Sequence, residues 1–302
     1  MNSGWVYRDQ IRSSAEGLTV LDYYTRHYRH SNQVEWQSRI LAGQILLDGA
    51  STQPETCLRA GQQLTYHRPP WQEPDVPLTF ETVYEDSELL VIAKPSGLPV
   101  LPGGGFLEHT LLRQLQQRYP NQPPMPIHRL GRGTSGLLLL ARSSQARAAL
   151  SQQMRTHQIV KTYRTLAVGN SMPECFRVTQ PIGKLAHPVL GYLYAATPDG
   201  LSAQSDCRVL QRGTETSLLE VVIATGRPHQ IRIHLAVAGY PLLGDPLYGS
   251  GGLPLSVRPD EMGEVPVPGD CGYHLHALKL EFHHPLTGER LRLSCPPPLD
   301  LA

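Results

Sequence analysis

The chain has no apolar run approaching the roughly 20 residues that cross a bilayer. Residues 1–12 carry neither the basic nor the apolar part of a secretory leader. A soluble, cytoplasmic protein without a membrane partner is therefore expected. The five cysteines, Cys57, Cys175, Cys207, Cys271 and Cys295, are odd in number, scattered, and never spaced Cys-x-x-Cys. That pattern indicates neither a disulfide framework nor a cysteine zinc site, and it predicts free, mostly buried thiols. Global charge is lacking too. With 27 Lys and Arg against 26 Asp and Glu, the formal net charge of +1 gives no hint of nucleic acid. One absence is local: residues 109–173 contain no Asp or Glu, yet they hold Arg113, Arg118, Arg129, Arg132, Arg142, Arg147, Arg155, Lys161 and Arg164. A phosphate-facing surface requires such a bias, although solvated arginines on unrelated faces would give the same count. The compensating acids lie at 73–88 and 260–270.

At 302 residues and 40% hydrophobic content, the chain can hold one large domain and one small one. Residues 16–67 read as the small unit. An apolar-periodic stretch over 18–28 predicts a helix, and Asn32 with Glu35 predicts the capped start of a second. Gly43 stops that helix. Ile45-Leu46-Leu47, the Asp48-Gly49 turn and residues 61–66 predict a strand pair behind it. Pro69, Pro70, Pro74 and Pro77 mark a linker over 69–77, and a second domain spans 78–302. Its expected strands are 89–93, 159–168, 206–211, 218–224, 278–283 and 290–294. Its expected helices are 109–118, 144–156 and 229–238, the last bounded by Pro228 and Gly239. The Gly/Pro-rich tract 249–272 reads as a long surface loop. Strands outnumber helices and follow one another through short turns. The fold class is therefore α+β with a mostly antiparallel sheet, preceded by a small α/β-type domain.

Three stretches carry chemistry. Ile127-His128-Arg129-Leu130-Gly131-Arg132-Gly133-Thr134-Ser135-Gly136 leads into the apolar run 137–141. Its glycines fit the spacing of a dinucleotide loop, but such a loop follows a strand, opens a helix and has an acid about 20 residues on. Here the glycines precede four leucines and no acid occurs before Glu174, so the nucleotide reading fails on context. The second stretch is Lys161-Thr162-Tyr163. The third is Thr225-Gly226-Arg227-Pro228-His229-Gln230-Ile231-Arg232-Ile233-His234-Leu235, continuing through Gly239 to Asp245 and Gly249. His229 with His234, and His274 with His276, could suggest a metal. Neither pair has the i, i+4 spacing with an intervening carboxylate of helical zinc sites, so none is expected.

Together with Lys94-Pro95-Ser96-Gly97-Leu98-Pro99, these stretches resemble, in the correct order, the motifs of the RluA-type pseudouridine synthases. The resemblance covers about residue 78 to the C-terminus, and it implies a cofactor-free isomerase that turns uridine into pseudouridine in rRNA or tRNA. Residues 39–49 with 58–62 resemble, more weakly, the S-four-like RNA-binding domain, which places an RNA-binding unit at 1–68. By the main resemblance Arg232 is the active-site arginine that pairs with the catalytic aspartate, and Arg129 takes the flipped uridine's place in the RNA. Tyr163 packs on the uracil face, with Leu275 as the apolar wall opposite. His128, Thr134, Ser135, Lys161 and His229 complete the expected RNA-contacting set.

One position departs from the family pattern: Gly131 stands where the aspartate belongs. Moving a base from its nitrogen to its carbon attachment needs a positioned carboxylate as nucleophile or base, and glycine can do neither. Arg232 would also be buried without its partner, at a cost on the order of several kcal/mol. Three resolutions follow. Another Asp or Glu enters the pocket, an RNA phosphate satisfies Arg232 in a catalytically inactive RNA-binding protein, or water reaches the site. Asp245 is the acid nearest a motif, but in the family it belongs to the sheet-turn framework; Asp206 and Glu220 are open. Gly131 with Gly133 also predicts a loop of permissive backbone angles, and a gain of activity by Gly131→Asp over a silent parent would show a preserved but disarmed pocket.

Overall fold

The computed structural model describes residues 1–28, 30–187, 191–249, 251–255 and 270–302. Most of the tract expected as a long loop, 256–269, lies outside the described residues. The chain forms two compact units, Met1–Glu73 with Ala186–Tyr192, and Pro74–Leu185 with Leu193–Ala302.

The first unit is built from β1 (Trp5–Gln10), α1 (Val20–His27), α2 (Gln33–Leu41), β2 (Ile45–Leu47), β3 (Ala50–Ser51) and β4 (Gln63–Arg68). Its sheet has the order β1-β4-β2-β3 and is antiparallel throughout. Asn32 and Glu35 form the expected capping box at the start of α2, each side chain accepting the other's backbone N–H at 2.9 and 2.8 Å. Strand β1 was not legible in advance, because Trp-Val-Tyr-Arg-Asp-Gln is mostly exposed and shows no apolar face. It exists by pairing with β4 over its full length, from Trp5 opposite Arg68 to Gln10 opposite Gln63. The proline-rich stretch is not wholly a linker. Asn2 exchanges backbone and side-chain hydrogen bonds with Trp71, both 3.0 Å, and donates to Glu73 at 2.6 Å, so residues up to 73 are fastened to β1.

The second unit contains β5 (Glu81–Glu85), β6 (Leu89–Lys94), α3 (Leu111–Arg118), β7 (Met125–Pro126), β8 (Ser135–Ala141), α4 (Ser144–Arg155), β9 (Val160–Val168) and β10 (Cys175–Val178). After a two-stranded ribbon, β11 (Ile182–His187) and β12 (Gly191–Ala196), come β13 (Ser205–Arg212), β14 (Thr216–Ile223), α5 (Gln230–Val237), β15 (Leu275–His283) and β16 (Arg290–Ser294). The main sheet runs β10-β13-β14-β9-β15-β8-β6-β5, with β16 on β15 and β7 on β8. The continuous leucine run of β8 is explained by its two buried faces. Leu138 and Leu140 join Leu90, Ile92, Leu111, Leu115, Ile231 and Leu235 on one side. Leu137 and Leu139 join Leu89, Val91, Ala146 and Leu150 on the other. Helices α3 and α5 thus cover one face and α4 the opposite one, and strands buried on both sides lose their alternation.

Every pairing in the main sheet is antiparallel except one: β15 runs parallel to β8, with His276 opposite Ser135 and Ala277 opposite Gly136. The expected α+β, mostly antiparallel architecture therefore holds, and its single parallel seam joins the 127–136 loop to the segment leading into β15. Only Cys207 and Cys295 of the five free thiols are buried. Cys57 and Cys175 are exposed, the latter on the edge strand β10, which corrects the expectation of mostly buried cysteines. Among the described residues no helix is long and apolar enough to cross a membrane.

Gly136 makes the seam possible. Its φ is +101°, and a Cβ there would stand 2.3 Å from the carbonyl oxygen of Ala277. Gly136→Ala is expected to open the β8–β15 seam and to cost roughly 2–4 kcal/mol in urea unfolding. A parent-like midpoint would refute this role of the glycine.

Candidate active site

The loop between β7 and β8 is held from below by the turn after β6. The Nζ of Lys94, 1% exposed, donates to the carbonyls of Pro95 and Leu98, both at 2.8 Å, and of Arg132 at 3.2 Å. Ser96 Oγ donates to Gly133 O at 2.7 Å, and Gly97 N–H to Arg132 O at 2.8 Å. Within the loop, Thr134 is buried with its hydroxyl 3.2 Å from that of Tyr273, and Ser135 Oγ lies 2.9 Å from His276 Nδ1. His128 Nε2 accepts the N–H of Leu139 at 3.2 Å. His128, Thr134 and Ser135 therefore brace the loop from within the fold. Gly131 and Gly133 do not adopt left-handed angles; their role is space. A Cβ on Gly131 would meet the Tyr273 hydroxyl at 2.7 Å, and one on Gly133 would meet the carbonyl oxygen of Asp270 at 2.8 Å. The expectation of a loosely ordered loop is thus replaced by one of close approach.

Helix α5 presents Arg232. Its start is locked by Gln230, whose Oε1 accepts from Thr225 Oγ1 at 2.9 Å and from Arg227 N–H at 3.0 Å. His229 is the N-cap in the left-handed region, φ 56°, so Pro228 sits one residue before the cap and not in the first turn. Strained backbone of this kind persists where the surroundings fix it. Arg232 is 2% exposed. Its Nε and Nη2 donate to Asp245 at 2.7 and 2.8 Å, its Nη1 donates to Asp270 at 2.6 Å, and its guanidinium lies 4.2 Å from the centre of the Tyr273 ring. Burial works against the charge. The Asp245 hydrogen bonds and the neighbouring carboxylates outweigh it and hold the Arg232 pKa above its ordinary value.

Arg232 is therefore not left without a partner: Asp245, a poor substitute by the sequence reading, pairs with it through two hydrogen bonds, and a second acid, Asp270, pairs with it too. Asp270 was missed. It follows a Gly/Pro-rich tract and belongs to no recognisable motif; only the need of a buried arginine for a carboxylate signalled that such a residue existed. Tyr273, two positions before the expected apolar wall at Leu275, was missed too. Burial and then the Asp270 charge push its phenol up to about 12. Asp206 and Glu220 are engaged elsewhere, with Arg177 and Gln204, and with Arg208.

The other expected residues fall into two groups. Tyr163 and Leu275, each 7% exposed, share one apolar cluster with Leu130, Ile231 and Tyr273. Arg129 is exposed, has no hydrogen-bond or ion-pair partner among the described residues, and acts electrostatically on His229, as do Arg232 and Asp270. Lys161, by contrast, is buried, with its Nζ 3.5 Å from Ala224 O; burial lowers its pKa to about 8. Of the basic window, Arg113 and Arg142 are taken by Glu108 and Glu85, so only part of the set is left for phosphate. The paired histidines have ordinary partners. His229 meets Tyr248, His234 lies between Ser205 and the Gln180 carbonyl, His274 meets Asp300, and His276 meets Ser135 and the Cys295 carbonyl.

Residues 88–237 match the family model described as RNA pseudouridylate synthase. Over 93% of its length the chain is 51% identical to an uncharacterized RNA pseudouridine synthase of Synechocystis sp., of which the match covers 95%. It is 36% identical to the ribosomal large subunit pseudouridine synthase D of Xanthomonas campestris pv. campestris, over 91% of this chain and 83% of that one. Among solved structures, human RNA pseudouridylate synthase domain containing 4 superposes with a TM-score of 0.54 at 26% identity, covering 73% of this chain and 89% of that chain.

Two outcomes follow from this geometry. Gly131→Asp is expected to gain no activity and to lose roughly 1–3 kcal/mol in thermal unfolding, because the new Cβ collides with the Tyr273 hydroxyl. A more active, equally stable variant would contradict this. Burial, then the charge of Lys161, pulls His128 down to about 3; burial, then the charge of Arg232, pulls His229 down to about 4. The unfolded chain binds protons at these residues near pH 6.5, where the folded chain does not. Their contribution to stability is complete above that pH and falls as the pH drops toward 4. Urea unfolding at pH 7.5 and pH 5 should show this loss, and His128→Gln should make it shallower.

Proposed function

Because the chain belongs to the RNA pseudouridylate synthase family, of RluA type, we propose that it isomerises uridine to pseudouridine in rRNA or tRNA in the cytoplasm, with Gly131 at the position of the family's aspartate. The observation that carries this reading is Arg232, held buried beside the loop by two carboxylates next to the cluster containing Tyr163 and Leu275. In this reading Tyr163 packs on one face of the flipped uracil and Leu275 forms the wall opposite. Arg129, exposed and unpaired among the described residues, fills the gap the base leaves in the RNA. His128, Thr134, Ser135 and Lys161 fix the loop and the strand beneath it, and His229 orients the start of α5. Residues 1–68 add affinity as an S-four-like domain. An open cleft lined by Trp5, Arg8, His67 and Arg68 on that unit offers the combination of aromatic and cationic side chains that single-stranded RNA uses.

The test is release of tritium from RNA labelled at uracil C5, with rRNA and tRNA as separate substrates. Release above a heat-inactivated control is the expected result. Silence from an RNA that binds would favour the catalytically inactive RNA-binding alternative. Arg129→Ala should leave the unfolding midpoint unchanged, since that exposed side chain pairs with none of the described residues, while turnover falls on the order of 10²-fold. Unaltered turnover would remove Arg129 from the site.

A further inference from the structure

Arg232 carries one positive charge and is met by two carboxylates. Asp245 alone is a complete partner. Its side chain is 1% exposed, Oδ2 accepts from Arg232 Nε, and Oδ1 accepts from Arg232 Nη2 and from the N–H groups of Leu247 and Tyr248. Bound through both oxygens and buried, it presents no open side to a substrate. Asp270 adds a second negative charge that neutralisation of Arg232 does not require, in a place where desolvation disfavours surplus charge. Its side chain is 36% exposed, with Oδ1 gripped by Arg232 at 2.6 Å and Oδ2 only lightly held by the Arg132 N–H at 3.2 Å. Among the described residues this carboxylate is fixed through one oxygen and, apart from that one N–H, open at the other.

Its place relative to Gly131 is specific. A Cβ on Gly131 would stand 3.9 Å from Asp270 Oδ1, whereas an aspartate's own oxygens lie roughly 2.4 Å from its Cβ. A side chain at 131 and the side chain of Asp270 would therefore compete for the same space. Tyr273 closes that space to residue 131. Gly133 opens it to the Asp270 backbone, whose carbonyl accepts the Gly133 N–H at 2.9 Å. The absence at 131 and the presence at 270 are one arrangement.

We propose that Asp270 is the catalytic carboxylate of this chain, delivered by the segment leading into β15 in place of the side chain that residue 131 lacks. This rests on the isomerase reading above. Asp270 Oδ2 attacks ribose C1′ of the flipped uridine, and the C1′–N1 bond breaks with its electron pair passing to the uracil. The base turns and its C5 attacks C1′, whose bond to Asp270 breaks and returns its pair to the carboxylate. The C5 proton passes to Asp270 and on to water, while N1 takes a proton from water. The carboxylate is regenerated and no further reagent is consumed.

The experiment compares single-turnover tritium release by the parent, Asp270→Asn and Asp270→Ala, with RNA affinity measured for each. An active parent is expected. Asp270→Asn should bind RNA within about threefold of the parent and lose on the order of 10³-fold or more in rate. Formate should restore part of the Asp270→Ala rate, and chloride at equal ionic strength should not, which separates a reacting carboxylate from a mere counter-ion. If the Asn variant fails to fold, the formate response of the Ala variant decides. Asp270 variants within tenfold of an active parent would overturn the assignment and leave the isomerase reading standing. A silent parent that binds RNA would overturn both.

Discussion

A guanidinium buried in the interior must be surrounded by carboxylates, and much of the second unit is arranged around meeting that demand for Arg232. The helix that carries it begins from a left-handed residue and a glutamine lock. The turn after that helix is held by Asp245, which also binds the backbone of residues 247 and 248. The segment leading into β15 contributes Asp270 and the ring of Tyr273. Removing either acid would act on three pieces of chain at once, because a buried ionic network responds as a unit.

The second constraint is the lone parallel pairing between β8 and β15. An antiparallel neighbour at that edge would send the chain before β15 away from the loop that precedes β8. A parallel one brings the N-terminal ends of both strands side by side. Small residues at 133 and 136 let the backbones touch, and the buried ammonium of Lys94 ties the loop to the turn after β6 through three carbonyls. The Lys94 motif thus has a mechanical role, bracing the loop from beneath.

The sequence made some of this legible and hid the rest, for physical reasons. Helices α1 and α4 showed through their apolar period, α2 through its capping pair, and β8 through its leucines. Strand β1 was hidden because its register comes from β4 and not from its own residues. The arginine was legible because its motif is long and ordered. Its second acid was not, since nothing local to Asp270 marks it and its role depends on a tertiary pairing with Arg232, on an element far from it in the chain. The glycines were misread for a related reason. A string cannot distinguish a glycine that supplies backbone freedom from one that supplies room, and at 131 and 133 the occupants of that room are Tyr273 and Asp270.

With Asp270 as the reacting group, the chain is an RluA-type fold in which one active-site element has changed its place of origin in the chain while keeping its partner. The most direct test is a structure of the chain bound to RNA with 5-fluorouridine at the modified position. The expected result is the free oxygen of Asp270 at about 3–3.5 Å from ribose C1′, with Arg232 still on its other oxygen. An Asp270 side chain turned away from the sugar, with another acid or only water beside C1′, would contradict it.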